Sequence, residues 1–187
     1  MKNKIIIIIF GLFFFKPLLA ENLNIQSENI SIDKVTKLTI FKDKVIATDA
    51  ENNILKTEYA EYKKEQELLY SKGATTILTA EGFILTGTDI YFDNKNNFIK
   101  SDNPATIEDL EKNIIFLDKF IYSTNEDIFK SSGKIKVIDS NKNIYHFSQI
   151  YIDEKKREIV GTDSKAYLNQ ESFKIKEGNK PRIFSNT

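Results

Sequence analysis

The chain has 187 residues, 41% of them hydrophobic, and its 27 basic residues balance its 27 acidic residues. The apolar fraction is enough for one or two domains with a core, which argues against a disordered chain. The charge balance gives no electrostatic reason to bind nucleic acid, and with one His and no Cys the usual zinc sites cannot be built.

The first twenty residues have the pattern of a secretory signal. Lys2 and Lys4 precede an apolar run from Ile5 to Phe15, and the small residue Ala20 follows. The run is too short to cross a bilayer comfortably. We therefore expect a signal peptide over residues 1–20, cleaved near Ala20, and a periplasmic protein that associates with the outer membrane. An uncleaved membrane anchor is the alternative.

From near residue 24 to residue 173 the sequence repeats every thirty residues without a gap. Five columns of similar side chains keep this register. They are Ile54, Ile84, Ile114 and Ile144; Tyr62, Phe92, Tyr122 and Ile152; Leu69, Ile99, Phe129 and Ile159; Ser71, Ser101, Ser131 and Gly161; and Ile77, Ile107, Val137 and Tyr167. A more degenerate unit precedes them, with Ile30 and Ile32 thirty positions before Ala60 and Tyr62.

Each unit is predicted to be a β-hairpin with a bend in its second strand. Apolar residues alternate with a period of two, which places Ile84, Ile90 and Phe92 on one face. The polar pentads KKEQE, DNKNN, STNED and DEKKR are typical of turns, and the motifs SKG, SDNP, SSG and GTD, with their Gly and Pro, indicate bulges or corners. The opposite face is also partly apolar, as Leu85 and Ile115 show.

The predicted fold class is therefore all-β. It is an antiparallel meander of about ten strands, whose aligned corners curl the sheet into a twisted open β-jelly roll. This domain spans residues 21–178, and residues 179–187 form a C-terminal tail or linker. Unpaired edge strands at both ends of the sheet invite another sheet to pair there.

Residues with catalytic chemistry are sparse. His146 lies within a predicted strand, and Asp93, Asp139 and Asp153 occupy turns, so each is interpreted as structural. No nucleophile elbow, phosphate loop or calcium loop is recognised, which predicts a non-enzymatic protein without a cofactor or metal. A polar column within the mainly apolar face has two interpretations, a hydrated rim or a contact with a ligand's polar head group; its members are Glu58, Thr88, Asp118 and Ser148.

Three segments resemble the OstA-like domain of lipopolysaccharide transport proteins: YFDNKNNFIKSDNPATIED (91–109), residues 131–168, and the tail NKPRIFSN (179–186). The resemblance covers residues 24–186 and is closest to the periplasmic N-terminal domain of LptD, with LptA next. It implies a jelly roll whose apolar interior holds lipid A acyl chains, joined end to end through edge strands to other modules of the LptA, LptC or LptD type. Since neither barrel strands nor cysteines follow, an LptD fragment, a split product and a stand-alone LptA-like carrier remain open.

The predicted site is the groove lining that would contact lipopolysaccharide. Its residues are Ile84, Ile90, Phe92, Ile99, Ile107, Ile114, Phe116, Phe120, Tyr122, Phe129 and Val137. An ordinary filled core would use the same residues. The alternatives are therefore a structural or adhesive repeat protein with a filled core and, as a third, an enzyme built on a β-helix.

Overall fold

The computed structural model of the protein describes residues 23–49, 52–80, 82–153, 155–156, 158–169 and 182–185. In these ranges fifteen strands form one antiparallel sheet, and the helical structure described is a 3-10 turn at Lys64–Gln66. The predicted all-β class is thus confirmed. The predicted signal peptide at residues 1–20 lies outside the described ranges.

The strands follow the order of the chain. They are β1 (Asn24–Gln26), β2 (Asn29–Asp33), β3 (Leu38–Thr48), β4 (Ile54–Lys63), β5 (Leu68–Leu78), β6 (Ile84–Asp93), β7 (Phe98–Ser101), β8 (Ala105–Glu108), β9 (Ile114–Leu117), β10 (Phe120–Ser123), β11 (Ile128–Ile138), β12 (Ile144–Asp153), β13 (Glu158–Thr162), β14 (Ser164–Tyr167) and β15 (Arg182–Ser185). Across the described ranges, no helix has the length and apolar character needed to span a membrane.

The sheet is a meander in which strands close in sequence pair with one another. β1 and β2 lie along β3 at one edge, and β13 to β15 lie at the other. The structure has fifteen strands where about ten were predicted. Part of the difference arises because three predicted long strands are each divided in two at a corner, giving the pairs β7 and β8, β9 and β10, and β13 and β14. Residues 182–185 of the segment expected to be a tail or linker form β15, which pairs with β14 and extends the sheet.

The motifs SKG, SDNP, SSG and GTD each coincide with a corner. Pairing shifts register between Ser71 and Ala74 in β5, and again between Ser132 and Ile135 in β11. Within the second bulge, Gly133 has a φ of 106°, a conformation that glycine adopts without steric cost. A Cβ there would also lie 2.6 Å from the Asp118 carboxylate. The sequence between β7 and β8 contains a proline, which has no N–H to donate to a ladder.

A ladder of buried Asp and Asn side chains stabilises the turns at the other end of the hairpins. The Asn113 backbone N–H donates to Asp109 Oδ1 at 2.8 Å, and its side-chain Nδ2 donates to Asp109 Oδ2 at 2.6 Å. The Asn113 Oδ1 then accepts a hydrogen bond from the backbone N–H of Ser140, in the next turn, at 2.7 Å. Equivalent bonds form at Asp49 and Asn53 and at Asp139 and Asn143. Each Asn thereby ties its turn to the segment that follows, whereas the turn at Thr79 has Phe83 in place of Asn.

The inward side chains of both halves of every long strand belong to one continuous apolar core. A flat sheet could not bring the two halves together, so the aligned corners divide it into two walls that pack on each other. The predicted curl around an apolar interior is confirmed. The core extends from Phe41 and Val45 in β3 to Ile150 and Ile152 in β12.

Candidate functional site

A row of inward-facing side chains crosses the wall nearest the pentad turns. Directly opposed residues on antiparallel strands share a face, so the pairing register defines the row. Row 1 consists of Ile32, Thr39, Tyr62, Leu69, Phe92, Ile99, Tyr122, Phe129, Ile152 and Ile159. All except Thr39 are apolar or aromatic, and the members from β5 to β12 are buried.

A second row crosses the other wall and contains only apolar or aromatic side chains. Row 2 consists of Ile25, Ala47, Leu55, Ile77, Leu85, Ile107, Ile115, Val137, Tyr145, Ala166 and Ile183. It spans eleven strands, and ten spacings of about 4.8 Å give a length of roughly 48 Å. Row 2 therefore forms a continuous apolar surface along the interior, and row 1 forms one from Tyr62 in β4 to Ile159 in β13.

Eight of the eleven predicted lining residues lie in this interior. They are Ile90, Phe92, Ile99, Ile107, Phe120, Tyr122, Phe129 and Val137, none of them more than 8% exposed. Phe120 and Phe129 stack with their ring centroids 6.0 Å apart. The structure thus places these residues where a lining must be; contact with lipid stays a prediction.

Three predicted lining residues, Ile84, Ile114 and Phe116, lie on the opposite face, so the prediction that Ile84 shares a face with Ile90 and Phe92 is wrong. In β6, Leu85 and Ile90 are both buried although they are five residues apart. In a regular strand, residues an odd number of positions apart point to opposite faces. The cause is the corner, where Asp89 has a φ of 52° and shifts the alternation by one residue. The same shift between β9 and β10 turns Phe116 outward, and it is 40% exposed.

The polar column lies at the corners. Asp118 Oδ2 accepts a hydrogen bond from the Lys134 backbone N–H at 2.7 Å, and Glu58 Oε2 accepts one from the Lys44 N–H at 3.3 Å. Both carboxylates therefore accept hydrogen bonds from backbone N–H groups that, because of the neighbouring bulges, have no partner in the adjacent strand. Glu58, Asp118 and Ser148 are exposed and Thr88 is half-buried, as the hydrated-rim interpretation requires.

The apolar interior reaches solvent at the end of the sheet formed by β2. Ile30 and Ile32 are 55% and 66% exposed, whereas Ile90 and Phe92, at the same positions of a middle unit, are at most 2% exposed. Ile183, at the far end of row 2, is also exposed. Among the described strands β2 pairs only with β3 and β13 only with β12, which leaves an unpaired edge on each.

Titratable groups form no evident reaction centre in the described part of the chain. No group of three or more His, Asp or Glu side chains is arranged to hold a metal there. His146 packs edge-on against Tyr167 with ring centroids 5.8 Å apart, a packing role. Burial, followed by the charge of Asp139, raises the pKa of Tyr145, whose hydroxyl donates to Asp139 Oδ2 at 3.2 Å.

No protein-family model and no curated protein matches the chain. Among solved structures, it aligns with LptH from Pseudomonas aeruginosa, described as the LptA-homologous periplasmic component of the lipopolysaccharide transport device. That alignment has 12% identity and a TM-score of 0.32, and covers 91% of this chain and 99% of the other. A second alignment, to the TCP10 domain of Danio rerio CPAP bound to a STIL peptide, has 8% identity, a TM-score of 0.16, and coverage of 89% and 100%. Superpositions this loose do not establish a shared function.

Proposed function

We propose that this chain is a periplasmic module of lipopolysaccharide transport, in which the interior shields lipid A acyl chains on the way to the outer membrane. The observation that supports the proposal is the apolar continuity of row 2, and of row 1 from Tyr62 to Ile159, together with the exposure of Ile30 and Ile32 in β2. Exposing a chain of about a dozen methylenes to water costs on the order of 10 kcal/mol, at about 0.8 kcal/mol per CH₂. An uninterrupted apolar path avoids that cost at every position along it.

Lipid would gain access at the end where Ile30 and Ile32 are exposed. The middle of the interior is closed, because its side chains are at most 8% exposed. The two walls therefore have to separate as acyl chains move inward, exchanging contacts between side chains for contacts with lipid. This exchange conserves buried apolar surface and needs no covalent step, so the module acts as a passive track and not as an enzyme.

The edge strands provide the partner contacts of the proposed module. Strand β2 and the strands at the other edge would pair with edge strands of LptA-, LptC- or LptD-type modules. Such pairing at β2 would also cover Ile30 and Ile32 and continue the apolar rows into the neighbour. The sequence resemblance favours the N-terminal domain of LptD over a stand-alone LptA-like carrier. An open reading frame for an outer-membrane barrel downstream of Thr187 would decide between them.

Photo-crosslinking in living cells tests the proposal. A photoreactive amino acid placed at Phe92, Phe120 or Phe129 is expected to capture lipopolysaccharide, because all three side chains face the interior. Phe116 is the matched control, since it is the same residue type on the outer face. Absence of capture at all three interior positions in a folded protein would contradict the proposal, and so would equal capture at Phe116.

The second candidate is a structural or adhesive periplasmic β-repeat protein with a filled core. The observation that favours it is the close burial of the interior, where Ile90 and Ile107 are 0% exposed. In that case the walls never separate. Crosslinkers at the interior positions would then capture no lipid, and lipopolysaccharide would reach the cell surface normally in cells that lack the protein.

A further inference from the structure

The outer face of the sheet has a concave pocket on strands β7, β10, β11, β12 and β13, with a volume of about 550 Å³. This volume falls in the range of small-molecule sites, roughly 300–1,000 Å³. Its lining includes the core residues Phe120 and Ile150, but no member of rows 1 and 2. The proposed transport function therefore leaves it without a role.

Five neighbouring side chains of one cross-strand row give the pocket its character. In strand order they are Lys100, Ile121, Lys130, Tyr151 and Val160. Their sequence neighbours on either side include the buried residues Phe120, Tyr122, Ile150 and Ile152, so alternation turns the row outward. Ile121, between the two lysines, is 41% exposed, and Val160, at the end of the row beyond Tyr151, is 56% exposed, so both leave open apolar surface beside the lysines.

The charges of the pocket are predominantly positive. Lys100, Lys119 and Lys130 contribute three ammonium groups against the single carboxylate of Asp102, a net charge of +2. The Lys100 ammonium is 3.9 Å from Asp102, and that of Lys130 lies 5.6 Å from the centroid of the Tyr151 ring. The pocket thus combines an excess of cationic groups with apolar side chains, although the chain as a whole has no net charge.

We infer that this pocket binds an anionic amphiphile, a molecule with a phosphate or carboxylate head group and an acyl chain. The head group would pair with the ammonium groups of Lys100, Lys119 and Lys130, and the chain would lie on Ile121, Tyr151 and Val160. Charge complementarity selects the anion, and the apolar side chains favour an attached hydrocarbon over a bare ion. Rows 1 and 2 share no residue with this pocket, so each can be tested without the other.

Titration of the whole mature chain with decyl phosphate, below its micelle concentration, tests the inference. Calorimetry or amide NMR shifts at Ile121, Tyr151 and Val160 provide the readout. Inorganic phosphate and decyl maltoside are the comparison ligands, and each is expected to bind at least about tenfold more weakly because it lacks one half of the recognised chemistry. Equal binding of inorganic phosphate would reveal a simple anion site, and equal binding of decyl maltoside a simple apolar surface. Either result would overturn the inference.

Variants distinguish the pocket from the interior. Val160→Asp adds a repelling carboxylate to an exposed apolar position, and about tenfold weaker binding of decyl phosphate is expected; Lys130→Gln is expected to weaken binding about fivefold. Lys95→Gln, in a turn outside the pocket, is the control and should change nothing. If Val160→Asp and Lys130→Gln both bind like the parent, the pocket is not the site. Crosslinking at Phe92 reports on the interior alone, so the two proposals can fail separately.

Discussion

Replacing Phe120 by alanine measures how closely the two walls pack. The Phe120 side chain is 5% exposed and stacks on Phe129. Truncating a buried Phe removes its transfer free energy and leaves a cavity, which together cost about 3–5 kcal/mol. About 0.5–1.5 kcal/mol of that cost comes from the aromatic pair. We expect Phe120→Ala to lower the free energy of unfolding by this amount.

Phe116→Ala provides the matched control, four residues away on the outer face. Its ring is 40% exposed and lies 5.7 Å from the Lys136 ammonium, a contact worth about 0.5–1 kcal/mol. Urea unfolding of both variants, followed by circular dichroism, gives the comparison. A cost below about 1.5 kcal/mol for Phe120→Ala, or equal costs for the two variants, would refute the closed interior and show that the walls stand apart in solution.

Two further predictions concern the turns and the pH dependence. Asn113→Ala should destabilise the protein by about 2–4 kcal/mol in urea unfolding, because it removes the side-chain partners of the Ser140 N–H and of Asp109 Oδ2, while the backbone bond to Asp109 Oδ1 remains; a loss below about 0.5 kcal/mol would mean that the ladder contributes little. Burial, followed by the charge of Asp89, raises the pKa of Tyr70 from near 10 to about 12. Between these values the folded state keeps the proton that the unfolded state has released, so the unfolding free energy should fall as the pH rises from about 10 to 12. Tyr70→Phe should make that decline shallower, and an unchanged slope would contradict the assignment.

The repeat allowed much of the fold to be predicted. Pentads rich in Asp, Asn and Lys specify turns locally, and Gly73, Gly133 and the proline between β7 and β8 specify corners because they alter the backbone itself. Apolar alternation specifies strands in the same way. These signals depend only on neighbouring residues, so they can be read without knowing the tertiary structure.

The Asp and Asn ladder was missed, although its signal is present in the sequence. Asp and Asn are separated by four positions at residues 49 and 53, 109 and 113, and 139 and 143, in the register of the repeat. Sequence reasoning interpreted Asp139 as an ordinary turn residue. Its burial follows only when neighbouring turns stack, because the Asn side chain completes its hydrogen bonds in the next turn.

The sequence by itself determined the period of thirty residues, the β class, and the positions of the turns and of the corners in the second strand of each predicted hairpin. Only the tertiary structure decided which face each apolar column occupies. Ile54, Ile84, Ile114 and Ile144 form the most regular column in the sequence, yet the rows of the interior pass through their neighbours Leu55, Leu85, Ile115 and Tyr145. The physical reason is the corner between the two halves of each strand. There one residue of left-handed or irregular backbone reverses the alternation, so side chains at even separations on either side of it point to opposite faces.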